Sequence, residues 1–375
     1  MCFEHLYVHI PFCQSKCNYC DFVSYPVAGR EEALAGYGRL LLCEAALWRK
    51  RADIGPLKSA YLGGGTPGLL PPKDVEALLA DFTFTKDAEI TLEANPESVN
   101  EEKLCAWLKA GVNRLSLGAQ SFNDSLLAAM GRIHSAARIK EALALARAAG
   151  FKNTGIDLIY GLPGQNPIAW RADIAEALES GAEHISLYGL SLSADSPWGR
   201  EVAAGRLTIP DEDTSADMLE AAMELLPQAG YVHYEISNFA RAGYESRHNT
   251  AYWQRDNYLG LGAAAASCAG EKRWFNRRDV ECYEAELQAG RLPIIEEESL
   301  SIEEILGEAL FLGLRLTAGL GLEDFAARYG IRAESYYKRP LKRLQKQGLV
   351  EVAEGRLRLT RRGILLGNEV FMQFL

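Results

Sequence analysis

Three kinds of feature are missing from this sequence. No apolar run approaches the roughly 18 residues that a membrane-spanning helix needs. The first residues, MCFEHLYVHIPFC, lack the basic and apolar segments of a secretory signal. An excess of positive charge is also absent, because 50 Asp and Glu outnumber 40 Lys and Arg and give a net charge of −10. We therefore expect a cytoplasmic protein whose main partner is not nucleic acid.

Cysteine is scarce, and its placement is uneven. Eight cysteines in 375 residues without a secretory signal argue against a disulfide scaffold and for reduced thiols. Cys13, Cys17 and Cys20 nevertheless stand together as C-x3-C-x2-C, which chance explains poorly. A structural zinc site usually takes four ligands in two pairs, and the sequence has no second C-x2-C. Three thiolates on one loop suit a four-iron, four-sulfur (4Fe-4S) cluster with one iron open to a chelating ligand. Zinc, or no metal, is the alternative.

Strand-like and helical segments alternate through the first half of the chain. Six β-rich runs, beginning with LYVHI, alternate with amphipathic segments at spacings of about 30 residues. Such alternation predicts an α/β fold with a parallel sheet and helices outside it. Repeated right-handed crossovers curl the sheet into a partial (β/α)6 barrel. Ligands are then expected at the carboxyl ends of the strands.

The chain divides into three predicted regions. Residues 1–190 form the barrel core, and residues 191–295 form an irregular, aromatic-rich accessory segment that completes the core, with one helix near 216–228. Residues 296–375 form a small C-terminal domain, in which helices are followed by two short strands around Gly355, as in winged-helix modules. Residues 331–362 carry ten Lys or Arg against three acids, so DNA binding is one interpretation. We favour a packing and lid role.

Glycine and acidic residues at the predicted strand ends are candidates for ligand contacts. Gly63–Gly65 and Thr66 would let backbone approach a ligand closely and offer N–H donors, although a tight turn explains the glycines equally well. Glu93 ends the third strand, where an acid is often simply solvated. Asp157 lies in the apolar strand IDLIYG, where a carboxylate needs a partner or faces the barrel interior.

At these residues the sequence resembles the radical S-adenosylmethionine (SAM) superfamily. Its signature is C-x3-C-x2-C with an aromatic residue before the third cysteine, here Tyr19. The resemblance implies that the three cysteines hold a 4Fe-4S cluster, that SAM binds the open iron through its amino and carboxylate groups, and that a 5′-deoxyadenosyl radical can form. The positions that match SAM-contacting or pocket residues of the superfamily are Tyr7, Tyr19, Gly64, Gly65, Thr66, Glu93, Gln120, Arg132, Asp157, Ser191 and Ala266.

Four further motifs narrow the resemblance to one branch of the superfamily. YVHIPFC, GGGTP, NRLSLGAQSF and GIDLIYGLPGQ are similar to oxygen-independent coproporphyrinogen III oxidases and to the related HemW-type haem chaperones. The oxidases carry a further cysteine two positions after the cluster's third cysteine, where this chain has Phe22. They also have an N-terminal extension, whereas the cluster loop here begins close to Met1. Both departures favour the chaperone branch and put enzymatic activity of the oxidase type in doubt.

The segment HNTAYW matches the H-N-x-x-Y-W element to which haem binding is attributed in the chaperone branch. The resemblance assigns haem contacts to His248, Asn249, Tyr252 and Trp253. A neutral imidazole is a good haem ligand, aromatic rings offer a flat apolar surface, and Arg247 and Arg255 could meet the propionates. The alternative is that His248 is a surface residue or a hydrogen-bonded core residue.

Two functions follow from the resemblance. The first is a haem chaperone that binds the cluster, SAM and haem and delivers haem to a haem-dependent protein of the respiratory membrane, which would bring a cytoplasmic chain to the membrane periphery. The second is the oxidase itself, which acts in porphyrin biosynthesis by radical decarboxylation of coproporphyrinogen III. Exposed aromatic residues near His248 favour a homodimer.

Overall fold

The predicted alternation of strands and helices is present in a computed structural model, which describes residues 2–375. The first part of the chain contains β1 (Cys2–Ile10), β2 (Phe12–Cys13), β3 (Tyr25–Pro26), α1 (Glu31–Arg49), β4 (Asp53–Gly64), α2 (Pro72–Ala80), β5 (Phe84–Ala94), α3 (Glu101–Lys109), β6 (Arg114–Gln120), α4 (Asp124–Ala129), α5 (Ala136–Ala149), β7 (Thr154–Tyr160), α6 (Pro167–Ser180) and β8 (His184–Gly189).

The six long strands of this part lie side by side in the order β1-β4-β5-β6-β7-β8, and every neighbouring pair is parallel. This arrangement confirms the predicted α/β fold. On β1, Leu6, Val8 and Ile10 belong to the apolar core, so the alternate residues His5, Tyr7 and His9 lie on the opposite, inner face. The inner face carries the polar residues of the site because the pleat separates them from the helix-covered face.

The accessory segment extends the same sheet at both edges. It contains α7 (Pro197–Ala203), α8 (Glu212–Gln228), β9 (Val232–Glu235), β10 (Asn238–Ala240), α9 (Arg247–Trp253), β11 (Tyr258–Leu261), β12 (Ala266–Ala269), β13 (Lys272–Asn276), α10 (Val280–Gln288) and β14 (Ile294–Ser299). β10 and β9 continue the sheet beyond β8, whereas β11 pairs with β1 and leads to β12, β13 and β14. Within residues 2–375 the sheet therefore has twelve strands. β14 runs across the boundary expected at residue 296.

Two helices of this segment differ from the sequence prediction. α7 lies in a stretch expected to be a loop, because Ser196 caps its first turn by accepting a hydrogen bond from the Gly199 backbone at 3.0 Å. α8 begins at Glu212 rather than near 216, because Asp211 accepts from the Thr214 backbone at 2.8 Å. In both cases a local cap extends helical structure into residues without apolar periodicity.

The connection between β10 and β11 crosses the inner side of the sheet from one edge region to the other. α9 belongs to this connection. The carboxylate of Glu89 on β5 accepts hydrogen bonds from the backbone N–H groups of Arg247 (3.1 Å) and His248 (3.0 Å) at the start of α9. The helix is thereby held against the middle of the barrel, and His248 is carried inside it.

The C-terminal domain has a hydrophobic core of its own. It contains α11 (Ile302–Gly313), β15 (Leu320–Gly321), α12 (Leu322–Tyr329), α13 (Ala333–Tyr336), α14 (Lys338–Lys346), β16 (Val350–Ala353), β17 (Arg356–Leu359), α15 (Arg361–Leu365) and α16 (Gly367–Phe371). The strands form a sheet in the order β15-β17-β16, and the β16–β17 hairpin turns around Gly355 as predicted. Within residues 2–375, no helix combines the length and the apolar character that crossing a membrane requires.

Candidate functional site

The loop that carries Cys17 and Cys20 follows β2, which ends at Cys13, and it is attached to the barrel through Asn18. The backbone N–H of Asn18 donates to the Met130 carbonyl at 2.9 Å, and its side-chain amide donates to the Ala129 carbonyl at 2.9 Å. The Asn18 carbonyl in turn accepts from the Trp198 backbone at 2.9 Å. The loop is therefore held between the end of α4 and the start of α7, although its residues have little regular secondary structure.

A cavity of about 300 Å³ opens at the carboxyl ends of the parallel strands, beside this loop. The structure brings most of the predicted site residues together there. The expected residues that line it are Cys13, Cys17, Tyr19, Cys20, Gly64, Gly65, Thr66, Glu93, Gln120, Arg132, Asp157 and Ser191. Phe22, which stands where the oxidases have a cysteine, also lines the cavity and is 62% exposed.

The donor chemistry of the loop fits a 4Fe-4S cluster. Cys13, Cys17 and Cys20 are free thiols that face the cavity. The guanidinium of Arg132 lies 3.5 Å from the sulfur of Cys17. Burial raises the pKa of the Cys13 and Cys20 thiols. The raised pKa reflects the cost of burying a charged thiolate. A positively charged metal cluster offsets this cost because it binds the thiolate form.

The glycine turn after β4 is used differently from the prediction. Gly64 donates its N–H to Glu93 at 3.2 Å, Gly65 donates to the Ile10 carbonyl at 2.8 Å, and Thr66 donates to the Phe12 carbonyl at 2.7 Å. The expectation that these N–H groups are available to a ligand is therefore wrong for this structure. A Cβ on Gly65 would lie 2.6 Å from the Phe12 carbonyl oxygen. The glycines are needed because the turn packs directly against the strand that leads into the cluster loop.

Two carboxyl groups face the cavity, Glu93 near the end of β5 and Asp157 in the middle of β7. Glu93 accepts from the Tyr61 hydroxyl at 2.6 Å, and burial raises its pKa to about 7. Asp157 lies on the inner face of β7, where the Ser116 hydroxyl lies 3.4 Å from one of its oxygens and burial raises its pKa. Glu93 is therefore not a solvated strand end, and Asp157 faces the interior, which was one of its two predicted environments.

Asn95 is a site residue that the sequence reasoning missed. Its side-chain amide donates to the Thr66 hydroxyl at 3.1 Å, and its carbonyl oxygen accepts from Arg132 at 2.7 Å. Arg132 also donates to the Gly118 carbonyl at 2.7 Å. Asn95 thus joins the glycine turn to the arginine beside the cluster loop. Its position two residues after Glu93, at the same strand end, was the available signal.

Asp173 supports the turn that contains Gln120. Gln120 has a positive φ of 66°, which is unfavourable for a residue with a side chain. The two residues that follow Gln120 are held by Asp173, which accepts hydrogen bonds from the Ser121 hydroxyl at 2.9 Å and from the Phe122 backbone N–H at 2.7 Å. Asp173 is only 2% exposed. No sequence pattern indicated this role, because Asp173 lies on α6 rather than at a predicted strand end.

Tyr7 and Ala266 are the two expected pocket residues that lie outside the described lining of the cavity. The Tyr7 hydroxyl is 2.9 Å from Nδ1 of His9, and the Tyr7 ring packs against Gly63. Ala266 lies on β12, opposite Phe275 of β13. Their expected contacts with SAM stay predictions.

His248 is a buried residue of the barrel interior, with an exposed fraction of 0%. Its Nδ1 lies 2.7 Å from the Ser59 hydroxyl, and its Nε2 lies 2.9 Å from the Tyr252 hydroxyl. Burial lowers its pKa to about 3, so the imidazole is neutral. The protonation state suits a haem ligand, but both ring nitrogens are engaged. In this conformation the imidazole of His248 therefore has no free nitrogen to offer haem iron.

The other residues of the HNTAYW segment also lie on α9. The backbone N–H of Asn249 donates to the capping Ser246, and the guanidinium of Arg315 lies 4.2 Å from the ring centre of Trp253. Arg247 pairs with Asp87 at 3.3 Å.

Arg255 is buried. It pairs with Glu308 of the C-terminal domain at 2.8 Å. The expectation that Arg255 meets a propionate is wrong for this structure, because the tertiary fold uses it to join two domains.

The fold and the cysteine-lined cavity define a radical SAM protein. Residues 7–178 match the family model of the radical SAM superfamily, and residues 300–366 match that of the HemN C-terminal domain. A protein of Bacillus subtilis called heme chaperone HemW is 37% identical over 98% of both chains. Its namesake in Lactococcus lactis is 36% identical over 98% of this chain and 96% of its own. This chain belongs to the HemW family of the radical SAM superfamily.

Two further similarities are to proteins that bear other names. The mitochondrial radical S-adenosyl methionine domain-containing protein 1 of Bos taurus is 34% identical over 99% of this chain and 87% of its own. The solved structure of coproporphyrinogen III oxidase (HemN) from Escherichia coli superimposes with a TM-score of 0.83 at 25% identity, covering 99% of this chain and 89% of that one. The barrel and the C-terminal domain are thus shared with a radical SAM enzyme.

Proposed function

We propose that this chain is a radical SAM haem chaperone, which binds a 4Fe-4S cluster, SAM and haem and passes haem to a haem-dependent recipient protein. One observation carries the proposal. Three cysteines and most of the predicted SAM-contacting residues converge on one cavity, in a chain whose full-length relatives bear the chaperone name. The proposal extends this name to a binding activity and a transfer activity.

The cluster and SAM would be held at the cavity. Cys13, Cys17 and Cys20 would ligate three irons, and the fourth iron would take the amino and carboxylate groups of SAM. When bound, the cluster supplies one electron to SAM. Glu93 and Asp157 would offer carboxyl oxygens to SAM along the cavity wall, and Arg132 would stay beside Cys17.

Haem would be held at the HNTAYW segment. The neutral imidazole of His248 and the aromatic side chains of Tyr252 and Trp253 support this assignment chemically. Ligation through Nε2 requires that this nitrogen give up its hydrogen bond with Tyr252. The haem-bound conformation of α9 would therefore differ from the conformation described here.

Oxidation of coproporphyrinogen III is the second candidate function. The similarity to the solved oxidase over 99% of this chain favours it. The replacement of the oxidases' additional cysteine by Phe22 argues against it, because Phe22 lines the cavity and provides no thiol. We regard it as the weaker of the two.

The test is anaerobic reconstitution with iron and sulfide, followed by haem titration and an assay for protoporphyrinogen. We expect one haem per chain, seen as a Soret band, and no conversion of coproporphyrinogen in the presence of SAM and a reductant. A His248→Gln variant should lose or shift the Soret band, whereas a Tyr283→Phe variant, which removes a hydrogen bond between α10 and α1, should keep it. Turnover that depends on Cys13, Cys17 and Cys20 would instead support the oxidase.

A further inference from the structure

Tyr61 occupies a central place between the cavity and His248. It lies on β4, two residues before the glycine turn, and its hydroxyl donates to Oε1 of Glu93 at 2.6 Å. Its ring stacks on the imidazole of His248 with 5.2 Å between ring centres and 30° between planes. One side chain thus contacts both a carboxylate of the cavity and the histidine of the HNTAYW segment.

The contact with Glu93 matters for the charge of that carboxylate. Glu93 lines the cavity, and the Tyr61 hydroxyl and the Gly64 N–H are the groups that hydrogen-bond its oxygens in the described chain. Burial raises its pKa, and both hydrogen bonds favour the ionised form. The other titratable groups that face Glu93 come from β1, β6, β7, β8 and α9, and are Tyr7, Arg114, Asp157, Tyr188 and Tyr252.

The contact with His248 fixes the ring of Tyr61 from the other side. His248 is anchored by Ser59 at 2.7 Å and by Tyr252 at 2.9 Å, and its backbone is tied to Glu89 at 3.0 Å. A close-packed interior transmits such constraints, because a ring cannot shift without displacing its neighbours. A change at His248 therefore also disturbs Tyr61, which stacks on its imidazole.

We propose that Tyr61 is a positioning residue that couples His248 to the cavity by holding its hydroxyl on Glu93, so that disturbing His248 weakens SAM binding although His248 does not touch the cavity. The inference rests on the SAM-binding part of the proposed function and is independent of haem. Coupling between sites is reciprocal. A ligand that displaced the His248 imidazole would therefore weaken SAM binding, and SAM would favour release of that ligand by the same factor.

A double-mutant cycle tests the coupling. SAM dissociation constants are measured on anaerobically reconstituted protein, without haem, for the wild type, Tyr61→Phe, His248→Gln and the double variant. We expect each single variant to weaken SAM binding about fivefold and the double variant to match the weaker single variant within about twofold, because both changes disturb one pathway. Independent effects would multiply to about 25-fold.

A matched control removes a similar hydrogen bond elsewhere. The Tyr283 hydroxyl donates to the buried carboxylate of Glu44 at 2.6 Å, between α10 and α1. Tyr283→Phe should leave SAM binding unchanged.

The pH dependence of SAM binding provides a second test. In Tyr61→Phe the pH at which SAM affinity reaches half its maximum should move upward, because the hydroxyl that is lost favours the ionised form of Glu93.

The outcomes separate this inference from the proposed function. Wild-type affinity and an unshifted pH profile in Tyr61→Phe overturn the coupling, as does an equal loss in Tyr283→Phe, which would indicate general loosening. Multiplicative effects in the cycle also overturn it. Failure of the wild-type protein to bind SAM overturns both proposals, whereas SAM binding without haem binding overturns only the chaperone function.

Discussion

The pH dependence of stability that His248 contributes follows from its burial. The imidazole has an ordinary pKa of 6.5, and burial lowers it to about 3 in the folded chain. The unfolded chain therefore takes up a proton at this position more readily than the folded chain. By linkage, the free energy of unfolding falls as the pH drops below 6.5, and it continues to fall until the pH reaches about 3.

The magnitude can be worked out from these two values. Below the ordinary pKa, each pH unit costs about 1.4 kcal/mol until the folded group also titrates. Between about pH 8 and about pH 5.5, His248 should therefore remove about 1.4 kcal/mol of stability. Glutamine does not titrate, so a His248→Gln variant should lack this pH-dependent decrease in the free energy of unfolding. It should also be less stable by about 1–3 kcal/mol at both pH values, because packing and one hydrogen bond are lost.

Urea unfolding of the metal-free, reduced protein at the two pH values measures the effect. Titrating groups that do not contact His248 contribute equally to the wild type and the variant. The comparison therefore isolates His248 together with His5, whose ring centre lies 6.2 Å from that of His248. Ser59→Ala is the matched control, because it removes a partner of the imidazole but leaves the imidazole in place, and it should keep the wild-type pH dependence. If His248→Gln loses as much stability on acidification as the wild type, the imidazole is not held neutral and the reasoning fails.

Three further predictions concern the cluster loop, the Gln120 turn and the domain contact. Cys17→Ser should reduce the iron content after reconstitution well below about four per chain, whereas Cys282→Ser, altered at an exposed cysteine, should not; iron analysis decides, and bound zinc in the wild type would contradict the cluster. Asp173→Ala should lower the free energy of unfolding by about 2–3 kcal/mol, because a buried hydroxyl and an N–H lose their acceptor; unchanged chemical denaturation would refute it. Glu308→Ala should destabilise the chain by about 3 kcal/mol or more, because buried Arg255 is left unpaired; a melting temperature equal to the wild type would argue against that pairing.

Local sequence determined the parts of this protein that depend on neighbours along the chain. The C-x3-C-x2-C spacing puts three thiols on one loop whatever surrounds it. The alternation of strand-like and helical segments specified a parallel sheet, and parallel strands bring their carboxyl ends to one edge. The resemblance to the radical SAM superfamily, rather than this alternation, marked Glu93, Gln120 and Asp157 as pocket residues, and all three line the cavity.

Tertiary structure alone decided which distant residues meet. Whether His248 faces solvent or the interior depends on the connection between β10 and β11, which crosses the inner side of the sheet. Tyr61 contacts Glu93 and His248 only because β4 lies beside β5 and beneath α9. Arg255 pairs with Glu308 because the C-terminal domain packs on α9. Strand order, register and domain packing are set by long-range burial, and the spacing of residues along a single sequence does not encode them.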